Sequence, residues 1–399
     1  MKRLVLFLDG TWNSPERDRA AGGGALYKPT NVLKLHRALL PSGEGGLPQI
    51  GVYVEGVGSF VGERSNAGRL QALVDRLFGG LFGGGFEGRV KAACRFLVAN
   101  WEPGDTIHLF GFSRGAAQAA SLARFLDWSG GLLAKRDEYF LPELFRRFTE
   151  SRAAPGAARE AIAAIRDRRG DPGAIGDPRP AAISFLGLFD PVLALGSRLR
   201  ADLLEGEVGT VEKGLAFHAG RELPGNVHVA RVAVSIDERR WDFRPILWNP
   251  PAELADRLEL RWFAGVHSNV GGGYPRDGLA NFPLYWMASE ARAAGLDFDR
   301  SYLRNFRPNP KGDRPDEWRG WIRWSERLRG KSGRGVRRLD PARHATAEID
   351  LSVFRLMLQD ETYRPRNLLA ALALRPDLAG DLPEEPRRRL LELAAAAKP

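Results

Sequence analysis

Short apolar runs bounded by Gly, Pro or Asp alternate along this chain with helix-length amphipathic stretches. No other feature narrows the fold as much. A run that is apolar at successive positions must be covered on both faces, and helices connecting parallel strands do that. The runs lie at residues 4–8, 49–54, 106–110, 181–189, 227–236 and 259–265, the last expected to be the final strand before His267. Pro29-Thr30-Asn31 reads as a helix start, with Val32, Leu35 and Leu39 at helical spacing behind it. A Gly-rich stretch at 78–85 leads into a helix carrying Val90, Ala93, Phe96 and Leu97, and 116–125 is an Ala/Leu-rich helix. Residues 130–178 read as a helical insertion with helices at 138–149 and 157–168. The expectation is one α/β domain over residues 1–380, its sheet mostly parallel with helices on both faces, and a tail at 381–399 ending in a frayed helix.

At 44% hydrophobic and 27% charged, the 399 residues fall in the globular range and outside the disordered and fibrous classes. A chain of this length buries a core large enough to need no disulfide or metal staple. Cys94, the sole cysteine, excludes an intrachain disulfide and fits a reducing compartment. The apolar stretch 181–196 is interrupted by Asp190 and is too short to span a bilayer. Met1-Lys2-Arg3 followed by apolar residues 4–8 imitates a signal peptide, but the apolar part is too short and Asp9-Gly10 follows at once. The chain is therefore expected to start in the cytoplasm, with signal-independent export left open. A net charge of +10 allows an anionic partner such as phosphate, lipid head groups or nucleic acid.

Gly111-Phe112-Ser113-Arg114-Gly115 matches the G-x-S-x-G pattern of a nucleophile elbow. The apolar strand Ile107-His108-Leu109-Phe110 runs into it, and the small-residue helix Ala116-Ala117-Gln118-Ala119-Ala120 leaves it. Such a turn holds the serine in strained backbone, lifts its hydroxyl clear of the sheet and leaves no room for side chains two positions away on either side. The plainer alternative, an N-cap serine at an ordinary strand–helix turn, has no need of both flanking glycines.

A serine hydroxyl needs a general base, and the base needs an acid to orient it. The expected chain order is Ser, then Asp or Glu, then His. Among the downstream histidines, His267 stands just past the apolar run Trp262-Phe263-Ala264 on a Gly-rich loop, whereas His218, His228 and His344 lie in polar or basic surroundings or near a strand start. For the acid, Asp190 ends the most apolar strand, where an unpartnered carboxylate would be costly. Asp237, after the next strand, is the rival, with Glu238-Arg239-Arg240 offering plain salt-bridge partners. The oxyanion hole is expected from the backbone N–H of Arg114 and from Gly10 or Thr11 after the first strand, where a simple Asp-Gly turn is the equal alternative. Asp9-Gly10-Thr11 also resembles the start of haloacid-dehalogenase phosphatases, but Phe7 occupies the place of their nucleophilic aspartate, which excludes that chemistry.

Several motifs fall in the order of a known family: Phe7-Leu8-Asp9-Gly10-Thr11-Trp12-Asn13, Gly56-Val57-Gly58, the elbow with Ala116, Leu188-Phe189-Asp190-Pro191-Val192, and residues 262–274 around His267. Together they resemble the uncharacterised α/β-hydrolase family that includes the catalytic domain of type VI secretion phospholipase effectors (Tle-type lipases). The resemblance runs from about residue 3 to Tyr363-Arg364-Pro365-Arg366-Asn367-Leu368. It implies an α/β-hydrolase fold, a Ser113–Asp190–His267 triad and ester hydrolysis in phospholipids. The chain departs from the family pattern at Pro191, at Asn269 where an Asp is commoner, and at Leu351 before Ser352-Val353.

Residues 301–345 hold 13 Lys/Arg against 5 Asp/Glu, a net +8 of the chain's +10. Within them Trp318, Arg319, Trp321 and Arg323 are candidate lipid contacts, since Trp and Arg together suit a membrane interface. The competing expectation is that the tryptophans pack a helix onto the core and the arginines form a solvated face. The Gly-rich stretch 77–86 is a second candidate, a flap over the site, with a plain helix connection as the simpler reading. The expected function is a serine esterase, foremost a lipase or phospholipase needing no cofactor and no metal, with a lipid or other acyl-ester substrate and no nucleic acid. Immunity and export partners are left unassigned. A soluble carboxylesterase or thioesterase is the alternative within the class. A non-catalytic scaffold binding a membrane or nucleic acid through the basic segment is the alternative outside it.

Overall fold

The computed structural model describes residues 1–10, 28–56, 84–192, 220, 222–248, 252–318, 323–324, 326–327, 335–339, 347–380 and 382–397. Seven strands form one sheet in which every pairing is parallel: β1 (Arg3–Leu8), β2 (Gln49–Val54), β3 (Thr106–Phe112), β4 (Ile183–Phe189), β5 (Ala230–Ser235), β6 (Leu258–Phe263) and β7 (Ala347–Ile349), in the order β2-β1-β3-β4-β5-β6-β7. Six of them fall where the apolar runs lie. The edge strand β7 was missed and displaces residues 259–265 as the last strand, because Ala-Glu-Ile is too short and too polar to stand out.

Alternate strand residues enter two separate cores, as the two-residue period of a strand requires. Leu4, Leu6, Leu8, Leu109, Leu186, Leu188, Val232 and Val234 face one layer. Its helices include α2 (Gly84–Asn100) and α3 (Arg114–Ser129), reinforced by α4 (Leu141–Glu150) and α5 (Ala157–Arg169). Val5, Phe7, Phe110, Phe185, Phe189 and Phe263 face the other layer, built with α1 (Asn31–Ala38) and α7 (Asn281–Ala293). Between β6 and α7 the short helix α6 (His267–Gly271) carries the candidate base. After β7 come α8 (Leu351–Gln359), α9 (Arg366–Leu374) and α10 (Glu384–Ala396). The expected frayed tail is instead α10, docked against α9 with Leu390 and Ala394 buried.

The carboxyl ends of the parallel strands all open on one edge of the sheet. There β1 has neighbours on both sides and the strand order changes direction, the position at which open α/β sheets build their sites.

Candidate active site

The elbow is sterically determined. Ser113 sits at φ 58° and ψ −124°, a conformation that non-glycine residues rarely adopt. A Cβ on Gly111 would lie 2.4 Å from the Cα of Ala116, and one on Gly115 would lie 2.1 Å from the carbonyl oxygen of Leu8. Helix α3 can fold back beside β1 and β3 only if both positions lack a side chain. The Ser113 N–H donates to Phe189 O at 3.1 Å, which ties the elbow to the end of β4. Phe112 pairs with Phe189 across the two strands, so Ser113 and Asp190, the next residues, are neighbours at adjacent strand tips.

Asp190 is fully buried and, at φ 41°, is itself in the left-handed region. Its carboxylate accepts five hydrogen bonds. His267 Nδ1 donates to Oδ2 at 2.6 Å, the Ser235 N–H to Oδ1 at 2.8 Å and the Ser235 hydroxyl to Oδ2 at 3.3 Å. The Arg337 guanidinium donates to Oδ1 at 2.5 Å and to Oδ2 at 2.9 Å. Burial alone would push this carboxyl up. The Arg337 charge and the His267 hydrogen bond outweigh it and hold the group well below the usual carboxylate range. The imidazole packs against the rings of Phe112 and Phe243, centroids 4.7 and 4.9 Å away, and burial lowers its pKa despite the Asp190 hydrogen bond. Burial disfavours the imidazolium and Nδ1 is engaged by Asp190, so Nε2 is the nitrogen left to accept a proton.

The rival acid is oriented elsewhere. Asp237 accepts from the Gly265 N–H at 2.7 Å and from the Tyr363 hydroxyl at 2.9 Å, and burial raises its pKa. It lines a pocket of about 210 Å³ with Arg239, Arg314 and Tyr363, behind the loop that carries His267. That loop is held by Asn269, whose Oδ1 accepts from the Val266 N–H at 3.0 Å while its Nδ2 donates to Asp313 O at 2.9 Å. An Asp at this position could make only the first bond.

Of the oxyanion candidates, Arg114 occupies the first position of α3, where backbone N–H groups point out of the helix end. Its half-buried guanidinium has its pKa lowered to about 10 by desolvation alone. The Gly10 N–H, by contrast, is already given to Asp9 Oδ1 at 2.6 Å, which corrects its assignment as a donor to the reacting oxygen. Thr11 lies outside the described residues, as do His218, His344, Arg319, Trp321 and residues 77–83 of the expected flap.

Trp318 is buried and its indole N–H donates to Glu326 Oε2 at 2.7 Å, so it is a packed residue rather than a lipid contact. Arg323 is exposed and lies 5.1 Å above the Trp318 ring, while Trp324 is 49% exposed. His228 is exposed. Two buried cations escaped sequence reasoning. Arg337 was absorbed into the basic segment, and Lys34 looked like the polar side of α1. The Lys34 ammonium is fully buried and donates to Asp277 and Asn281 at 2.9 Å each, while neighbouring Asn31 donates to Val270 O and Ala280 O and so pins α1 to the His267 loop. Among the described residues no group of three His, Cys, Asp or Glu side chains could hold a metal ion, and no helix is long and apolar enough to cross a membrane.

A parallel sheet covered on both faces, a strained serine after β3 and a buried His–Asp pair at the neighbouring strand ends define an α/β-hydrolase-like protein. Within that class, the chain belongs to the family described as T6SS, Phospholipase effector Tle1-like, catalytic domain, which residues 2–290 match. It is also 30% identical over 270 residues to an uncharacterized protein of Saccharomyces cerevisiae, YEL023C, a match covering 65% of this chain and 35% of the yeast protein's length. Two solved structures align with it. One, the Tle1 effector bound to the VgrG spike from the Type 6 secretion system, has TM-score 0.40 and 15% identity over 82% of this chain and 78% of that one. The other, an uncharacterized protein from Pseudomonas aeruginosa, has TM-score 0.39 and 17% identity over 99% of this chain and 59% of that one.

Proposed function

We propose that the protein hydrolyses acyl esters of phospholipids by a serine mechanism with Ser113 as nucleophile, His267 as general base and Asp190 as the acid that orients it. The observation that carries this reading is the 2.6 Å His267–Asp190 hydrogen bond, made by the residue that sits beside Ser113 at the adjacent strand tip. Ser113 Oγ attacks the ester carbonyl while His267 Nε2 takes its proton and returns it to the leaving alcohol. Asp190 keeps the Nδ1 proton in place and stabilises the imidazolium. The Arg114 N–H, at the positive end of α3, receives the developing oxyanion. Family membership supports the phospholipid class, and Arg114, the residue after the nucleophile, carries a charge suited to a phosphodiester. The family's full activity and its partners extend to this chain as proposals of the same kind.

The test compares wild type with Ser113→Ala, using a fluorophosphonate probe, p-nitrophenyl butyrate and phospholipid vesicles. Labelling and turnover that depend on Ser113, with acyl chains released from vesicles, are expected. Absence of labelling and turnover in the wild type would sink the esterase reading. Turnover of the soluble ester without vesicle hydrolysis would remove phospholipid as the substrate class and leave a carboxylesterase.

A further inference from the structure

Arg337 comes from the most basic stretch of the chain, yet its side chain is buried and turned inward. It reaches the site as a fork. Nη1 donates to Asp190 Oδ1, to Ser235 O at 3.0 Å and to Ser235 Oγ at 2.7 Å. Nη2 donates to Asp190 Oδ2 and to Phe243 O at 2.6 Å. The Asn367 side chain in turn holds the Arg337 carbonyl, donating at 3.1 Å. Asp190 Oδ2 is thus shared between Arg337 and His267. Arg337 Nε, meanwhile, is buried with no hydrogen-bond partner among the described residues. The guanidinium is set by the carboxylate and by Phe243, whose ring also packs on the imidazole, rather than by satisfaction of all its own donors.

Carboxylates and guanidiniums are paired around the imidazole. Asp190 bonds its ring, Glu238 accepts from its backbone N–H at 3.3 Å, Arg240 pairs with Glu238 at 2.7 Å, and Arg337 pairs with Asp190. Among the described residues, two carboxylates and two guanidiniums thus lie about His267, with Glu317 and Tyr274 beyond Arg240 and the rings of Phe112 and Phe243 packed on the imidazole.

Building on the triad reading above, we propose that Arg337 is a positioning residue: it locks the Asp190 carboxylate in the plane that receives His267 and cancels its charge, so that the imidazole stays neutral and free to act as base. A planar fork can hold both carboxylate oxygens, which a lysine cannot. If Arg337 is removed, the surroundings of His267 lose one positive charge and Asp190 keeps its negative one. The imidazolium is then favoured, and the base is lost to protonation at a higher pH.

The test is the pH dependence of kcat/KM for p-nitrophenyl butyrate in wild type, Arg337→Gln and Arg337→Lys, together with an NMR titration of the His267 ring, which needs no turnover. In Arg337→Gln the acid limb and the ring titration are expected to move up together by about one pH unit. In Arg337→Lys the limb is expected to stay near wild type while kcat falls about tenfold, because the charge is kept and the fork is lost. A lower kcat in Arg337→Gln with an unmoved limb and titration would reduce Arg337 to a structural residue and overturn the proposal. Should Arg337→Gln not fold, an unchanged kcat in Arg337→Lys would overturn it equally. A wild type without Ser113-dependent turnover defeats the triad reading instead, and the titration still reports whether Arg337 tunes the imidazole.

Discussion

Asp190 and Asp237 stand at the ends of neighbouring strands, the first fully buried and the second partly so, and the structure treats them in opposite ways. Asp190 is met by a guanidinium, an imidazole and the Ser235 donors, and its carboxyl is held below the ordinary range. Asp237 is met by one backbone N–H and one phenol, and burial prevails, raising its pKa. Burial disfavours the ionised form of both. What separates them is a formal positive charge in direct contact, since neutral donors offset only part of the desolvation cost of a carboxylate. The acid that can serve a histidine base is the one whose ionisation has been secured from the other side.

The contrast is most exposed at Asp190. Asp190→Asn is expected to lower kcat/KM for p-nitrophenyl butyrate by about 10³–10⁴, the loss typical when a triad acid no longer holds the imidazole tautomer. The same variant strands the Arg337 charge, a cost of about 3–5 kcal/mol in denaturant unfolding, as for other broken buried pairs. An Asp190→Asn enzyme within tenfold of wild type would erase the distinction.

The pH dependence of stability should differ in sign between the two sites. The folded pKa of Asp190 is depressed, so its contribution is present above the unfolded value near 3.9 and is lost as pH falls below it; the stability gap between wild type and Asp190→Asn should shrink below about pH 4. The folded pKa of Asp237 is raised, so at neutral pH its ionised carboxylate is a liability that grows as pH rises from about 4 through the folded value. Unfolding free energies at several pH values, measured in wild type and both Asp→Asn variants, check both signs.

Smaller effects refine the picture around Asp237. Tyr363→Phe removes one of its two donors and is expected to cost about 1 kcal/mol with little change in turnover, read from denaturant unfolding and from kcat/KM. Asp237→Asn keeps an acceptor for Gly265 and Tyr363 and removes the buried charge. Its stability at pH 7 should equal or exceed that of wild type, and kcat/KM should stay within about threefold. A loss of activity comparable to that of Asp190→Asn would make Asp237 a functional acid after all.

The elbow was legible from spacing, because glycine two positions before and after the serine is the local expression of a steric demand, and the contacts at Leu8 and Ala116 are that demand in three dimensions. His267 was legible for a similar reason, standing where an apolar strand gives way to a Gly-rich turn. Arg337 was not. One arginine among the many between 301 and 345 carries no local mark of facing inward, whereas Trp318, bonded to Glu326, follows the expectation that the tryptophans pack onto the core. The edge strand β7 escaped because three residues on a sheet margin need little apolar pattern to pair.

From its own order of residues, this chain determines the parallel sheet, the strained serine turn and the two candidate acids, because strand periodicity and glycine sterics act between near neighbours. Only the folded arrangement decides which acid the histidine meets, that Gly10 is already engaged by Asp9, and that a distant arginine completes the carboxylate's shell. Those outcomes depend on charges and donors meeting across gaps such as the 147 positions between Asp190 and Arg337, where burial makes each pairing decisive and no local pattern records it.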